Sequence, residues 1–199
     1  MENSHAVPDR AADESWLRTY YFARAAASVA WILAAVGLAT HTPTIAAGLL
    51  VIYPLWDALA NLVDGAFSGG LGRNRTQLAN AGVSLVVAAA VWVALPDMRH
   101  VLAVFGVWAI LSGLLQLGTA LRRRRLYGAQ WAMVLSGAQS ALAGAVFVVQ
   151  AQAPAVPSIA TVIGYAGFGA FYFLISALSL TFAARRRITS EAAWQQKKG

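Results

Sequence analysis

Polar side chains set inside long apolar runs are the residues of this chain with chemistry to offer. Arg24, Asp57, Asn61, Asp64, Asn80 and Ser84 all lie in segments otherwise built from aliphatic, small and aromatic residues. An ionisable side chain at the centre of an apolar span costs about 2.5–3.5 kcal/mol on insertion scales, so such residues usually pair, bind or carry charge. Wound as a helix, Tyr53, Asp57, Asn61, Asp64 and Ser68 fall within an arc of about 80°. That face is expected to point into the protein or a wet cavity, not at lipid. Arg24 and Asp64 lie at similar chain distance from the first turn, so an ion pair across that turn is expected. The alternative is that each reaches the interface separately. Asp57 lies deeper, with no charge partner evident in the sequence. Pro54 shortly before it frees the carbonyl of Leu50 and is expected to kink the helix. An acid beside a broken helix fits a proton or ion pathway. The plainer reading is a neutral carboxyl hydrogen-bonded to Asn61, Asn80 or Ser84 as structural glue.

Catalysis finds little to work with. Cysteine is absent, which excludes disulfides, thiolate metal sites and cysteine nucleophiles. His5, His41 and His100 have no metal-ligand spacing, and serines such as Ser84 and Ser140 have no base nearby in the pattern. Gly164, Gly167 and Gly169 allow close packing or flexibility, but no strand precedes them as a nucleotide loop requires. No enzyme activity, metal or cofactor is expected.

The elements that position these residues follow from composition. The 199 residues are 59% apolar and only 12% charged, with a mean hydropathy of +0.59. A soluble domain carries about 25% charged residues. Crossing the hydrocarbon core takes about 20 apolar residues per helix, and six stretches qualify: Tyr20–Thr40, Thr44–Phe67, Gln77–Leu95, Val101–Leu121, Ala129–Gln150 and Ser158–Ala184. The runs are continuous rather than alternating, which disfavours strands. The fold expected is all-α and polytopic, with six transmembrane helices as three hairpins, 20–67, 77–121 and 129–184. A polar tail, 1–19, shows no secretory signal pattern, and a basic tail, 185–199, closes the chain.

Of the fifteen basic residues, all but Arg24 and Arg99 fall in the tails or in the loops after spans two and four. The positive-inside rule therefore predicts cytoplasmic N- and C-termini. The net charge of +7 and pI near 10.4 suggest anionic lipid headgroups rather than nucleic acid as the partner, with Arg122, Arg123, Arg124 and Arg125 as the candidate contact. Each opposite turn is short and carries proline: Pro43, Pro96, and Pro154 with Pro157. Helices joined by such turns are expected to be antiparallel neighbours. Tyr20, Tyr21, Tyr127 and Trp131 sit where an interfacial aromatic belt is expected.

The hairpins look like copies of one unit. Phe22-Ala-Arg-Ala-Ala-Ala-Ser28 aligns with Leu78-Ala-Asn-Ala-Gly-Val-Ser84 and Val134-Leu-Ser-Gly-Ala-Gln-Ser140 at one constant offset. Arg24, Asn80 and Ser136 coincide, as do Ser28, Ser84 and Ser140. In the even spans Tyr53, Trp108 and Tyr172 coincide, then Asp57, Ser112 and Ser176. Repeats of two spans all point the same way, related by an axis along the membrane normal. Ser136, Ser140 and Gly144 form one row of small residues, and Gly137, Ala141 and Ala145 another. Such rows let backbones approach, either within the bundle or in a homo-oligomer.

Two stretches carry a family resemblance: Trp108-Ala-Ile-Leu-Ser-Gly-Leu-Leu-Gln-Leu117 running into the arginines, and Trp131-Ala-Met-Val-Leu-Ser-Gly137. They resemble the short repeats of the HdeD-type family of small bacterial inner-membrane proteins, over about residues 20–187. The resemblance implies six spans, an inner-membrane location, a link to acid resistance and no established catalysis. It transfers no functional residues, and the first hairpin departs from the pattern at Arg24, Asp57 and Asp64. Two functional readings follow. One is a non-catalytic membrane protein in acid or envelope stress. In that reading His41 and His100, both near the non-cytoplasmic turns, would repel when acidified. The other is a small proton- or ion-coupled transporter or channel using the Asp57/Asp64 face. A water-accessible cavity beside Asp57 favours transport; a dry, hydrogen-bond-saturated face favours the structural role.

Overall fold

The computed structural model describes residues 10–39, 42–123 and 131–196. Six helices make up the fold, and among the described residues there are no strands. They are α1 (Arg10–Ala34), extended by a π-helical turn (Ala35–Ala39), α2 (Pro43–Phe67), α3 (Arg75–Ala94), α4 (Met98–Arg123), α5 (Trp131–Gln150) and α6 (Ile159–Gln196). All six are long and apolar enough to cross a membrane. The protein is a multi-pass, all-α membrane protein. Its outward side chains are large and apolar, Leu33, Val86, Leu142 and Val149 among them, as contact with lipid acyl chains requires.

Hydropathy set the outer helices too short. α1 begins at Arg10, inside the expected polar tail, because Leu17 is buried beside Tyr21 and Leu180 and Trp16 stacks on Phe67 with ring centroids 4.4 Å apart. α6 continues through Arg185, Arg186 and Arg187 to Gln196. A helix has no reason to stop where its apolar run stops when charged residues on it find partners, and Arg187 bonds Glu14 of α1 at 2.5 Å. Tyr21 is not a belt residue: it is buried against Phe173, whereas Trp131 is exposed as expected. Tyr127 lies outside the described residues.

The helices close into a ring in which each contacts the one before and the one after, α6 returning to α1. Within that ring the closest pairs are α2 with α3, α4 with α5, and α6 with α1. Helices joined by a short turn are indeed neighbours, but looser ones. In the first hairpin much of the contact is made by the π-helical turn.

The small-residue rows serve the bundle. A Cβ on Gly144 would lie 2.4 Å from the Gly106 carbonyl oxygen, and one on Gly113 would lie 2.7 Å from that of Gly137. The backbones of α4 and α5 thus touch at two glycine pairs, and Ser140 Oγ donates to the Ala109 carbonyl at 3.0 Å between them. Gly164 and Gly167 have no neighbour within 4 Å of such a Cβ and Gly169 meets only the Tyr53 hydroxyl at 3.9 Å, so the α6 glycines bring no backbones together.

The interior divides along the membrane normal. Toward the short turns it is filled by Trp31, Leu50, Val91, Val101, Leu102, Phe105 and Phe147. Arg99 donates to the carbonyls of Ala153 and Pro154, tying the start of α4 to the turn before α6. Toward the chain termini polar groups share the interior with a second apolar cluster that includes Leu17, Ala120, Met133, Phe173 and Leu180. Pro54 lies buried within α2, which is helical on both sides of it. The Leu49 carbonyl, next to the one proline frees, accepts Trp31 Nε1 at 2.8 Å.

Asp97 caps α4: its Oδ1 accepts the Arg99 backbone N–H at 2.8 Å, and its Oδ2 meets His100 Nδ1 at 2.9 Å. The expected repulsion between His41 and His100 changes accordingly, since a charged His100 is met by Asp97; His41 lies outside the described residues.

Two predictions follow from this packing. Gly144→Ala should lower stability in detergent unfolding by about 1–3 kcal/mol, the range for overpacking, whereas Gly82→Ala, with open space around it, should cost nothing. The Arg99 N–H bond holds the Asp97 carboxyl below its usual value. A lowered folded value means that the cap is complete above the ordinary aspartate value of about 3.9 and is lost as pH falls through the lowered value. Hydrogen-exchange protection in the first turn of α4, referred to the intrinsic rate at each pH, should therefore fall on strong acidification in the parent and stay level in Asp97→Asn.

Candidate functional site

Asp57, on α2, is the meeting point of four helices. Its Oδ1 accepts Arg24 Nη2 of α1 at 2.6 Å. Its Oδ2 accepts Ser84 Oγ at 2.8 Å, Asn61 Nδ2 at 3.0 Å and Asn80 Nδ2 at 3.3 Å. Ser84 Oγ in turn accepts Trp108 Nε1 of α4 at 3.0 Å. The Arg24 guanidinium carbon lies 4.5 Å from the ring centroid of Phe173 on α6, a cation–π contact that brings in a fifth helix.

The expected Arg24–Asp64 pair does not form; Arg24 pairs with Asp57, and Asp64 pairs with Arg123 at 3.0 Å. Counted from the observed helix ends, Ala39 and Pro43, Arg24 lies fifteen residues along α1 and Asp57 fourteen along α2, whereas Asp64 lies twenty-one along, so the pair that forms is the one at matched depth. Asp57 therefore has the charge partner that its sequence context did not reveal. The hydrogen bonds from Asn61, Asn80 and Ser84 expected of a structural carboxyl are all present.

Asp64 forms a second cluster nearer the chain termini. Ser68 Oγ donates to it at 3.0 Å, and Trp16 Nε1 and Gln77 Nε2 each donate at 3.3 Å. This withdraws Arg123 from the headgroup role: its side chain is 12% exposed and turned into the bundle. Arg122 donates to Thr76 Oγ1. Arg124 and Arg125 lie outside the described residues.

Between these clusters lies a cavity of about 110 Å³. Its deep end is formed by Ser28, Tyr53 and Trp108, above the apolar half; Thr76, Gln77 and Arg123 line it toward the termini. A second hollow at that end shares Gln77, Thr119 and Arg123 with it, so the Asp64–Arg123 cluster stands between the two. The positions matched across the three repeats converge here. Arg24, Asn80 and Ser136 line the cavity, with Ser28 and Ser140, with Tyr53, Trp108 and Tyr172, and with Asp57 and Ser112. Ser84 stands behind Asp57, and Ser176 is buried outside the lining.

Sequence reasoning missed Gln77, Gln116, Gln139 and Tyr165. Each lines the cavity, and Tyr165 bonds Ser140 at 2.6 Å while Gln139 accepts Tyr172 at 2.7 Å. The signal available was helical phase: Gln139 and Ser136 are one turn apart on α5. Among the described residues, no three histidine or carboxylate side chains gather as metal ligands would. Comparison of the chain with family models, curated proteins and solved structures returns no match. The resemblance to the HdeD-type family therefore rests on its sequence patterns alone.

Leaving one partner of a buried ion pair unpaired costs about 3–5 kcal/mol. Arg24→Gln and Asp57→Asn should each destabilise the protein by roughly that much, and the double variant by much less than their sum. The same cycle on Arg24 and Asp64 should be additive, which unfolding titrations in detergent will show.

Proposed function

We propose that this multi-pass membrane protein is a carrier that takes a small polar solute into the cavity beside Asp57, performing no covalent chemistry. One observation carries the reading: a cavity lined by charged, amide, hydroxyl and aromatic side chains lies in one half of the bundle, and packed apolar side chains fill the other half. A binding site closed on the turn side, with the Asp64–Arg123 cluster between it and a second hollow on the terminal side, is what alternating access needs in one of its states. Asp57 itself is held by Arg24 and three further donors, so it serves better as a fixed wall of the site than as a free proton relay. The charge bias of the loops supports termini in the cytoplasm, hence a cavity facing inward, and the HdeD-type resemblance supports a bacterial inner membrane. A role in acid or envelope stress would then be exercised through solute movement.

The chain lacks cysteine, so single cysteines report without background. Ser136→Cys should react with a membrane-impermeant thiol reagent from the terminal side. Val91→Cys, fully buried in the apolar half, should react slowly from the turn side as that half opens. Right-side-out and inverted vesicles assign the sides. If Val91→Cys stays inert under all conditions while Ser136→Cys reacts, the seal never opens and the carrier reading fails.

A further inference from the structure

We infer that the cavity binds a solute of zero net charge that presents a hydrogen-bond donor and an acceptor side by side, as a carboxamide does; this rests on the carrier reading. The first argument is charge balance. The ionised side chains lining the cavity are Arg24 with Asp57 and Arg123 with Asp64, two cations against two anions. Each carboxylate is already met by several donors, so a cationic solute finds no acid to neutralise it. Each guanidinium already has its carboxylate, so an anion would leave an excess charge in a poorly solvated interior.

The second argument is the set of groups left over. Gln77 and Asn80 are 3% and 7% exposed, and both line the cavity. A carboxylate only accepts, so the Gln77 and Asn80 nitrogens must be the atoms facing Asp64 and Asp57. That orientation leaves Gln77 Oε1 and Asn80 Oδ1 as buried acceptors without a partner among the described residues. Arg24 Nε and Trp56 Nε1, on residues of the same lining, are buried donors in the same condition. Unmet donors and acceptors at one site call for a ligand that carries both. A carboxamide does, through its NH2 and its carbonyl, without adding charge.

The third argument is size and wall chemistry. An apolar cavity of about 150 Å³ takes benzene, so about 110 Å³ holds a solute no larger than a single ring. The rings of Tyr53, Trp108 and Phe173 offer an apolar wall for its hydrocarbon part.

Three probes of one shape separate the charge classes: isobutyramide, isobutyrate and isobutyramidinium. Binding to the full chain in nanodiscs is read by tryptophan fluorescence and by the shift in melting temperature. Isobutyramide should bind at least about tenfold more tightly than either ion, the scale of one unmet hydrogen bond or more. Gln77→Met should weaken it by about tenfold, whereas Gly82→Ala should leave it unchanged. If either ion binds as well as the amide, the neutral class is wrong while the site stands. If none binds, the inference fails outright, and the cysteine reactivities decide the carrier reading separately.

Discussion

The Asp57 carboxylate is the constraint on which the rest of the interior depends. In a bilayer no water stands by to take over a lost hydrogen bond, so a charged side chain must find its partners in the protein. Asp57 finds four donors on three different helices, and one of them, Ser84, is itself oriented by Trp108 on a further helix. Arg24 is held in turn by Asp57 and by the Phe173 ring. The register of α1, α2, α3, α4 and α6 is thereby referred to one pair of charges. An apolar interface between lipid-bathed helices is tolerant of sliding, because lipid tails and leucine side chains are alike to one another. A buried ion pair with its hydrogen-bond shell is not.

The same bonds join the parts that are packed most tightly. The three close pairs are α2 with α3, α4 with α5, and α6 with α1. Asp57 and Ser84 belong to the first, Trp108 to the second, Arg24 and Phe173 to the third. Asp64 repeats the arrangement, with Gln77 from the first pair, Arg123 from the second and Trp16 from the third. Each pair can behave as a stiff unit; α4 and α5, whose glycines place backbone against backbone, are the extreme case. The seams between units run within the hairpins, where contact is looser, and the polar clusters bridge those seams. A solute that hydrogen-bonds at Gln77 and Asn80 would act on the groups that hold the stiff units together.

Much of this was legible before any coordinates. Apolar runs located all six spans, and helical phase placed Asp57, Asn61 and Asp64 on one inward face. Most residues matched in the repeat alignment line one cavity, Ser84 and Ser176 excepted. What failed was partner assignment. Chain counting fixes depth only when the ends of the turn are known, and counted from Ala39 and Pro43 it is Asp57, not Asp64, that matches Arg24. Arg123 looked like part of a headgroup cluster because a run of four arginines shows no sign of which side chains turn inward. Trp16 and Leu17 looked like tail because hydropathy averages over neighbours such as Asp13, Glu14 and Arg18. Side-chain partnership across helices is a tertiary fact, and a window along one chain does not contain it.

At the positions matched by the sequence alignment the three hairpins differ in a direction that matters physically. At one matched position the copies carry Arg24, Asn80 and Ser136; at another, Asp57, Ser112 and Ser176. The first copy holds both charges, the second an amide and a hydroxyl, the third two hydroxyls. Three charge pairs around one axis would each need desolvating, at several kcal/mol per ion before any recovery. At these matched positions one pair, met by Asn61 and by Asn80 and Ser84 of the next hairpin, carries about a third of that cost, with Arg123 and Asp64 adding a second pair toward the termini. It also makes the cavity unequal around its axis: charged where α1 and α2 face it, hydroxyl-lined where α5 does. A threefold-symmetric cavity would accept a small amphipathic solute in three equivalent poses. With its unmet amide oxygens on α3 and unmet donors on Arg24 and Trp56, this one distinguishes the α1–α3 side from the α5 side for a polar group.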